Sequence, residues 1–193
     1  MSQSATLREV EGITLPPAGR YAFDKAHTQV EFVARHMLTK VRGRFTAFDG
    51  EIQIGERPED SRVRVEIEAA SIQTNNEMRD NHLKSEDFLD VERFPTLVFE
   101  STQVRPTGGA GFELVGDLTI RDVTRQVVLE AGFDGWGPGL QGGTVAAFSA
   151  STEIEREDWD MTWNMAVETG GLLVGKTVQI EIAVEAILPA DGS

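Results

Sequence analysis

Arg62-Val63-Arg64-Val65-Glu66-Ile67-Glu68-Ala69 alternates charged and apolar residues without a break. A β-strand sends successive side chains to opposite faces, so this run is a strand with one wet face and one dry face. The dry face, Val63, Val65, Ile67 and Ala69, must be covered by a second layer or by closure of its own sheet. The same period recurs on both sides of this run. Upstream, Val30, Phe32 and Ala34 oppose Gln29, Glu31 and Arg35. Downstream, Val127, Leu129, Ala131 and Phe133 share one face. Near the end, Val178, Ile180, Ile182, Val184, Ala186 and Leu188 oppose Gln179, Glu181 and Glu185.

Further strands are predicted over 19–24, 41–54, 94–106, 112–121 and 144–156. In 112–121 the apolar residues Phe112, Leu114, Leu118 and Ile120 all fall on even positions. The stretch 41–54 changes phase, because Phe45 and Ala47 are odd whereas Phe48, Ile52 and Ile54 are even. A bulge or sharp bend near residues 46–50 accounts for the change, and barrels use such features to turn corners. Glycines at 108–111 and 135–143 mark hairpin-scale turns. Only residues 75–90 offer much helix. There Asn75 or Asn76 can cap a short helix, predicted over 76–83, that carries Met78, Arg79, His82 and Leu83.

A parallel α/β fold would need a helix between successive strands. One helical excursion near 76–90 in an otherwise all-β chain predicts a closed, extended antiparallel barrel of about eight strands, with the helix as a flap or plug beside it. Residues 1–18 read as an N-terminal arm ending in Pro16 and Pro17, residues 19–188 as the single domain, and 189–193 as a short tail.

The chain of 193 residues has 32 acidic and 18 basic residues and a net charge of -14. Such a surface repels phosphate backbones, so nucleic acid is not an expected partner, and peripheral attachment to an anionic membrane is disfavoured. No run approaches roughly 18 apolar residues, so no stable membrane insertion is expected. The N-terminus lacks a basic start followed by an apolar run, which makes the cytoplasm the expected compartment. With no cysteine there is no thiol catalysis and no thiolate metal site.

Candidate ligand-contacting residues fall in two groups. Phe32, Phe45, Phe48, Phe99, Phe133, Phe148, Trp159 and Trp163 lie in or beside strands. In a sandwich they are ordinary core; in a barrel they line the lumen or pack beneath the loops. Trp159, Met161 and Trp163 alternate with Asp158, Asp160 and Thr162, which predicts a strand-like edge at a mouth. The second group is polar: His36, Arg79, Asp80 and His82. Arg79 and His82 share a helical face, and Arg79 could fork onto a phosphate or carboxylate. The plainer reading is that Arg79 and Asp80 pin the helix to neighbouring strands. His27, His36 and His82 lack metal-ligand spacing, so neither a metal nor another cofactor is expected. No nucleophile elbow, P-loop, dinucleotide fingerprint or zincin motif is present, and no catalytic residue is assigned.

Several segments, in order, resemble the YceI-like family of lipid- or polyisoprenoid-binding proteins. They are Y-A-F-D-K-A-H-T-Q-V-E-F (21–32), H-M-L-T-K-V-R-G-R-F (36–45), S-I-Q-T-N-N-E-M-R-D-N-H-L-K-S-E-D-F (71–88), F-P-T-L-V-F-E-S-T (94–102), G-D-L-T-I-R-D-V-T-R (116–125) and R-E-D-W-D-M-T-W-N (156–164). The chain departs from the usual pattern at Thr28, Asp122 and the pair Trp159-Asp160. The resemblance implies a lipocalin-like barrel with a long apolar pore, and binding, transport or storage of an isoprenoid. Many members are periplasmic, and dimers are common, which leaves a homodimer open here. No catalytic residue is implied.

The expected function is therefore carriage of a polyisoprenoid or isoprenoid quinone in the lumen, with transfer of each methylene from water contributing roughly 0.8 kcal/mol. Two rivals stand beside it. An enzyme acting on a small apolar substrate would need an inward carboxylate or histidine. A ligand-free structural or stress-related protein would need bulky side chains from opposite walls to meet.

Overall fold

A computed structural model describes residues 7–140, 142–166, 168 and 171–190; residues 1–6 of the arm and 191–193 of the tail lie outside the described residues. The strands run in chain order as β1 (Arg8–Val10), β2 (Ile13–Leu15), β3 (Gly19–Phe23), β4 (Gln29–His36), β5 (Thr39–Phe45), β6 (Phe48–Ile54), β7 (Arg62–Glu68) and β8 (Ile72–Gln73). One α-helix, α1 (Glu77–Lys84), follows. The chain then continues through β9 (Thr96–Gly108), β10 (Gly111–Ile120), β11 (Val123–Pro138), β12 (Thr144–Glu155) and β13 (Val174–Leu188).

The sheet closes on itself. Neighbours are β12-β11-β10-β9-β7-β6-β3-β13, and β13 pairs back onto β12 from Thr144↔Leu188 to Glu155↔Thr177. This makes a ring of eight strands, every pair antiparallel. Three of the eight are composite. β3 and β4 both lie along β13, one after the other, with a turn at 24–28 between them. The break at Thr46 and Ala47 separates β5 from β6, where the change of phase predicts a bend. A 3-10 turn at Ala69–Ser71 separates β7 from β8. A barrel of eight strands has no free edge around its ring.

The predicted faces point inward. Val63, Val65 and Ile67, then Ile180, Ile182 and Val184, then Phe112, Leu114 and Leu118 all line one internal cavity. β9 contains a feature that alternation does not reveal. Ser101 faces Gly116 and Gln103 faces Val115, so Thr102 is an extra residue. This bulge switches the inward phase, which lets both Phe99 and Val104 reach the lumen.

The described part of the arm, from residue 7 on, forms regular structure. β1 and β2 form a hairpin, and Ile13 also bridges to Gly109 at the β9–β10 turn. Leu15 is buried, and Leu15 and Pro16 enter the cavity wall, so the arm stoppers one end of the barrel. Tyr21, fully buried beside it, donates its hydroxyl to the Pro17 carbonyl at 3.0 Å, and burial pushes its phenol up to about 12.

At the other end α1 and the segment after β12 form the cap. Asn76 is extended and its side chain accepts the Arg79 N–H at 3.0 Å, an N-cap. A helix this short does not hold itself together. It is tied down by Asp80, whose carboxylate accepts from both the backbone and the hydroxyl of Thr74. The expected strand-like edge at 158–163 is not formed. Arg156–Trp159 is a 3-10 turn that ends in Asp160 at φ 58°, in the left-handed region. Two buried groups impose this course. The Trp159 indole donates to the Leu118 carbonyl at 3.1 Å. The Arg156 guanidinium, 3% exposed, gathers the carbonyls of Met161, Gly175 and Val174. Its burial lowers its pKa.

Candidate functional site

The lumen is apolar around its whole circumference. Its wall takes Phe23, Phe32, Phe45, Phe99, Phe133 and Phe148 together with Val, Ile and Leu side chains from β4, β6, β7, β9, β10, β11 and β13. The polar side chains at this wall are already committed. Glu31 is paired with Arg42 at 2.9 Å. The Ser61 hydroxyl accepts the Gly55 N–H, and the Ser149 hydroxyl donates to Asp134. The free space is about 190 Å³. Two pairs of rings reduce it: Phe32 and Phe45 with centroids 5.9 Å apart, and Phe133 and Phe148 at 5.5 Å.

A second cavity, of about 490 Å³, opens at the α1 end. Its lining includes His36, Arg79, His82, Met78, Trp163 and Phe88, with Phe32 at its floor. Phe32 lines both spaces and so stands between the lumen and this vestibule. Arg79 donates its Nε to the Thr74 hydroxyl at 2.7 Å and one terminal nitrogen to the Thr74 carbonyl at 2.9 Å. Its remaining terminal nitrogen carries no hydrogen bond among the described residues, and Arg79 lines the vestibule. His82 sits in a small aromatic cage, edge-on to Trp163 at 4.5 Å and to Phe88 at 5.1 Å. Its Nε2 is 2.9 Å from the Asp87 carboxylate.

The candidate residues therefore divide. Phe32, Phe45, Phe99, Phe133 and Phe148 meet at the lumen. His36, Arg79, His82 and Trp163 meet at the vestibule. Three stand apart. Phe48, at the first position of β6 beside the break, pairs with Ile67 and packs on the core without lining the cavity. Trp159 is buried in the end cap, held by its bond to Leu118. Asp80 is absent from the vestibule wall because both its bonds go to Thr74, the tether role.

One grouping was not legible in the sequence. Asp24, His27 and Glu185 converge at the turn between β3 and β4, with ligand-type atoms within 4.8 Å of one another. His27 Nδ1 is 2.8 Å from Asp24 and 3.8 Å from Glu185. Glu185 comes from β13, more than 150 positions away, so no local spacing could reveal it. The hydrogen bond that His27 donates to Asp24, followed by the charges of Asp24 and Glu185, raises the His27 pKa. The same hydrogen bond, with the Ala26 N–H, lowers that of Asp24. This is an exposed ion pair that closes the β3–β4 turn.

Known proteins share this architecture. A family model described as the YceI-like domain matches residues 21–186. A UPF0312 protein of Ectopseudomonas mendocina is 36% identical over 174 residues, 88% of each chain. The crystal structure of Burkholderia cenocepacia BcnA superposes with a TM-score of 0.75 at 21% identity, covering 84% of this chain and 98% of that one. A polyisoprenoid binding domain from Saccharophagus degradans superposes with a TM-score of 0.66 at 12% identity, covering 88% and 98%.

Proposed function

The chain belongs to the YceI-like domain family, and on that premise we propose that it binds and carries an elongated apolar lipid, a polyisoprenoid or isoprenoid quinone, in its barrel. The observation that carries this reading is the lumen wall, apolar on every strand and parted by the Phe32 ring alone from a vestibule that holds Arg79, His36 and His82. Apolar burial supplies the affinity, at roughly 0.8 kcal/mol for each methylene removed from water. A headgroup would then lie in the vestibule, within reach of the uncommitted Arg79 nitrogen. The Saccharophagus degradans domain of the same fold is a polyisoprenoid binding domain; at 12% identity that likeness speaks for the fold, and the ligand class here rests on the lumen.

Binding is favoured over catalysis. Among the described residues at the lumen wall the one carboxylate, Glu31, is turned to the outer face and paired with Arg42, so none of them offers a free inward group to move a proton. A second reading has one observation behind it. The free lumen of about 190 Å³ is smaller than the ~300–1,000 Å³ of most ligand pockets, as a filled, ligand-free barrel would be. In the carrier reading, the ring pairs Phe32–Phe45 and Phe133–Phe148 turn aside to admit the chain. Native mass spectrometry of protein purified without detergent separates the two. Carriage predicts a co-purified lipid mass, or uptake of a quinone or polyprenyl lipid on mixing. A protein that shows only its own mass and takes up neither would be the filled barrel.

A further inference from the structure

The geometry points to a membrane-docking edge at the vestibule mouth: the tip of the β4–β5 hairpin, Met37 and Leu38, enters the surface of an anionic lipid bilayer. This rests on the carrier reading, since the docked mouth is the one through which a lipid would pass. Leu38 is 87% exposed at the tip, and Met78, on α1 at the vestibule wall, is 84% exposed. Met37 donates its N–H to the Leu173 carbonyl, which sets the neighbouring exposed Leu172 on the same side. Isolated exposed apolar residues are ordinary; several around one opening into an apolar cavity mark a surface that meets something.

Charge selects the partner. In a chain of net charge -14, residues 32–48 contain Arg35, Lys40, Arg42 and Arg44 and no carboxylate. Arg42 is paired with Glu31 and Glu181, and Arg44 holds Gln73. Arg35 and Lys40 face each other directly across the hairpin. Among the described residues neither forms an ion pair; Arg35 donates only to the Met37 carbonyl. Like charges opposite one another in a sheet repel, and an anionic surface relieves them. The acidic remainder of the protein acts weakly here, because the screening length is about 8 Å at physiological salt. The acidic residues at this end, Glu77, Asp80 and Asp87, lie on or just after α1 and not on the hairpin, which makes the hairpin tip the leading contact. Leucine flanked by arginine and lysine is the composition of an interfacial anchor.

The test is co-sedimentation of the full chain with vesicles of phosphatidylcholine containing phosphatidylglycerol and with vesicles of phosphatidylcholine alone. The wild type should sediment with the anionic vesicles and less with the neutral ones. Leu38→Asp should weaken vesicle binding by about tenfold or more. The double variant Arg35→Glu, Lys40→Glu should abolish the preference for anionic vesicles. All three positions lie at an exposed tip, and unchanged thermal unfolding checks that each variant is folded. A wild type that ignores both vesicles, or variants that bind as it does, overturns the proposal. So does a concentration-dependent dimer that Leu38→Asp dissolves, which would assign the tip to a second copy of the chain. Native mass spectrometry of the same Leu38→Asp protein keeps the two readings apart: loss of docking with uptake of a quinone retained tells against nothing in the lumen, whereas docking without any lipid uptake sinks carriage alone.

Discussion

The Phe32 ring occupies the space that a side chain at Gly43 would fill. The two residues are direct cross-strand neighbours, and a Cβ built on Gly43 would stand 2.3 Å from Phe32 Cζ and 2.9 Å from Thr74 Cγ2. Glycine on β5 thus makes room for the ring that divides lumen from vestibule. Gly43→Ala should force the ring aside and cost about 1–3 kcal/mol, read from urea unfolding. Phe32→Ala should remove the ring altogether, joining the two spaces and speeding release of a bound fluorescent apolar probe. Unchanged release from a folded Phe32→Ala protein would deny Phe32 its dividing role.

The barrel was legible because alternation is a local property. Val63-Val65-Ile67 and Ile180-Ile182-Val184 announce a dry face with no knowledge of their partners. The cap of α1 was legible for the same reason, since Asn76 acts on Arg79 three residues away. What escaped depends on distant chain. The Thr102 bulge is set by pairing with β10, not by its own neighbours. The course of 156–163 follows from two buried donors, Arg156 and Trp159, whose acceptors lie on other elements, and alternation there is coincidental. The polar arm hid a stopper because Leu15 and Pro16 find their apolar surroundings only after the barrel closes.

Arg156 is a structural cation. It is 3% exposed and gathers three backbone carbonyls on the segment that closes the barrel end. Arg156→Met keeps the apolar stem but leaves those acceptors unpaired, at about 1–3 kcal/mol for each that water cannot reach. The expected result is a lower urea midpoint and faster amide exchange at Val174 and Gly175. A variant as stable as the wild type would show that water replaces the guanidinium.

Asp80 should prove a tether and not a headgroup contact. Its carboxylate accepts twice from Thr74, on the backbone and on the hydroxyl. Asp80→Asn removes the charge from both bonds and offers a donor to the Thr74 N–H if it is turned the wrong way. Stability should fall by about 1–2 kcal/mol with lipid affinity little changed. Arg79→Gln should instead reduce affinity for lipids with an anionic headgroup more than for a neutral chain. Equal losses for both ligands would remove Arg79 from headgroup contact.

The pair Asp24–His27 makes stability depend on pH in a defined window. His27 has its pKa raised by Asp24, so its contribution is full below the unfolded value of about 6.5 and fades as pH rises through the folded value. Asp24 has its pKa lowered, so its contribution is present above about 3.9 and is lost as pH falls through the folded value. Between the two, both groups are charged. Histidine proton NMR should place the His27 midpoint above 6.5, its usual value. His27→Gln should flatten the neutral limb of the stability profile. An identical profile in that variant would show that the exposed pair contributes nothing measurable.

Volume in the lumen gives the most direct test of carriage. Leu129, 5% exposed, lines the cavity from β11, and the free space it borders is about 190 Å³. Leu129→Trp extends an apolar side chain into that space without burying a charge. Overpacking should cost about 1–3 kcal/mol, a loss a folded barrel can survive. A lipid threaded along the lumen must then compete with the indole. Its affinity should fall by about tenfold or more, the equivalent of two or so displaced methylenes. Vesicle binding through the distant hairpin tip should not change, which separates loss of the lumen from loss of the fold. A folded Leu129→Trp protein that takes up a polyprenyl lipid as readily as the wild type would place the ligand outside the barrel.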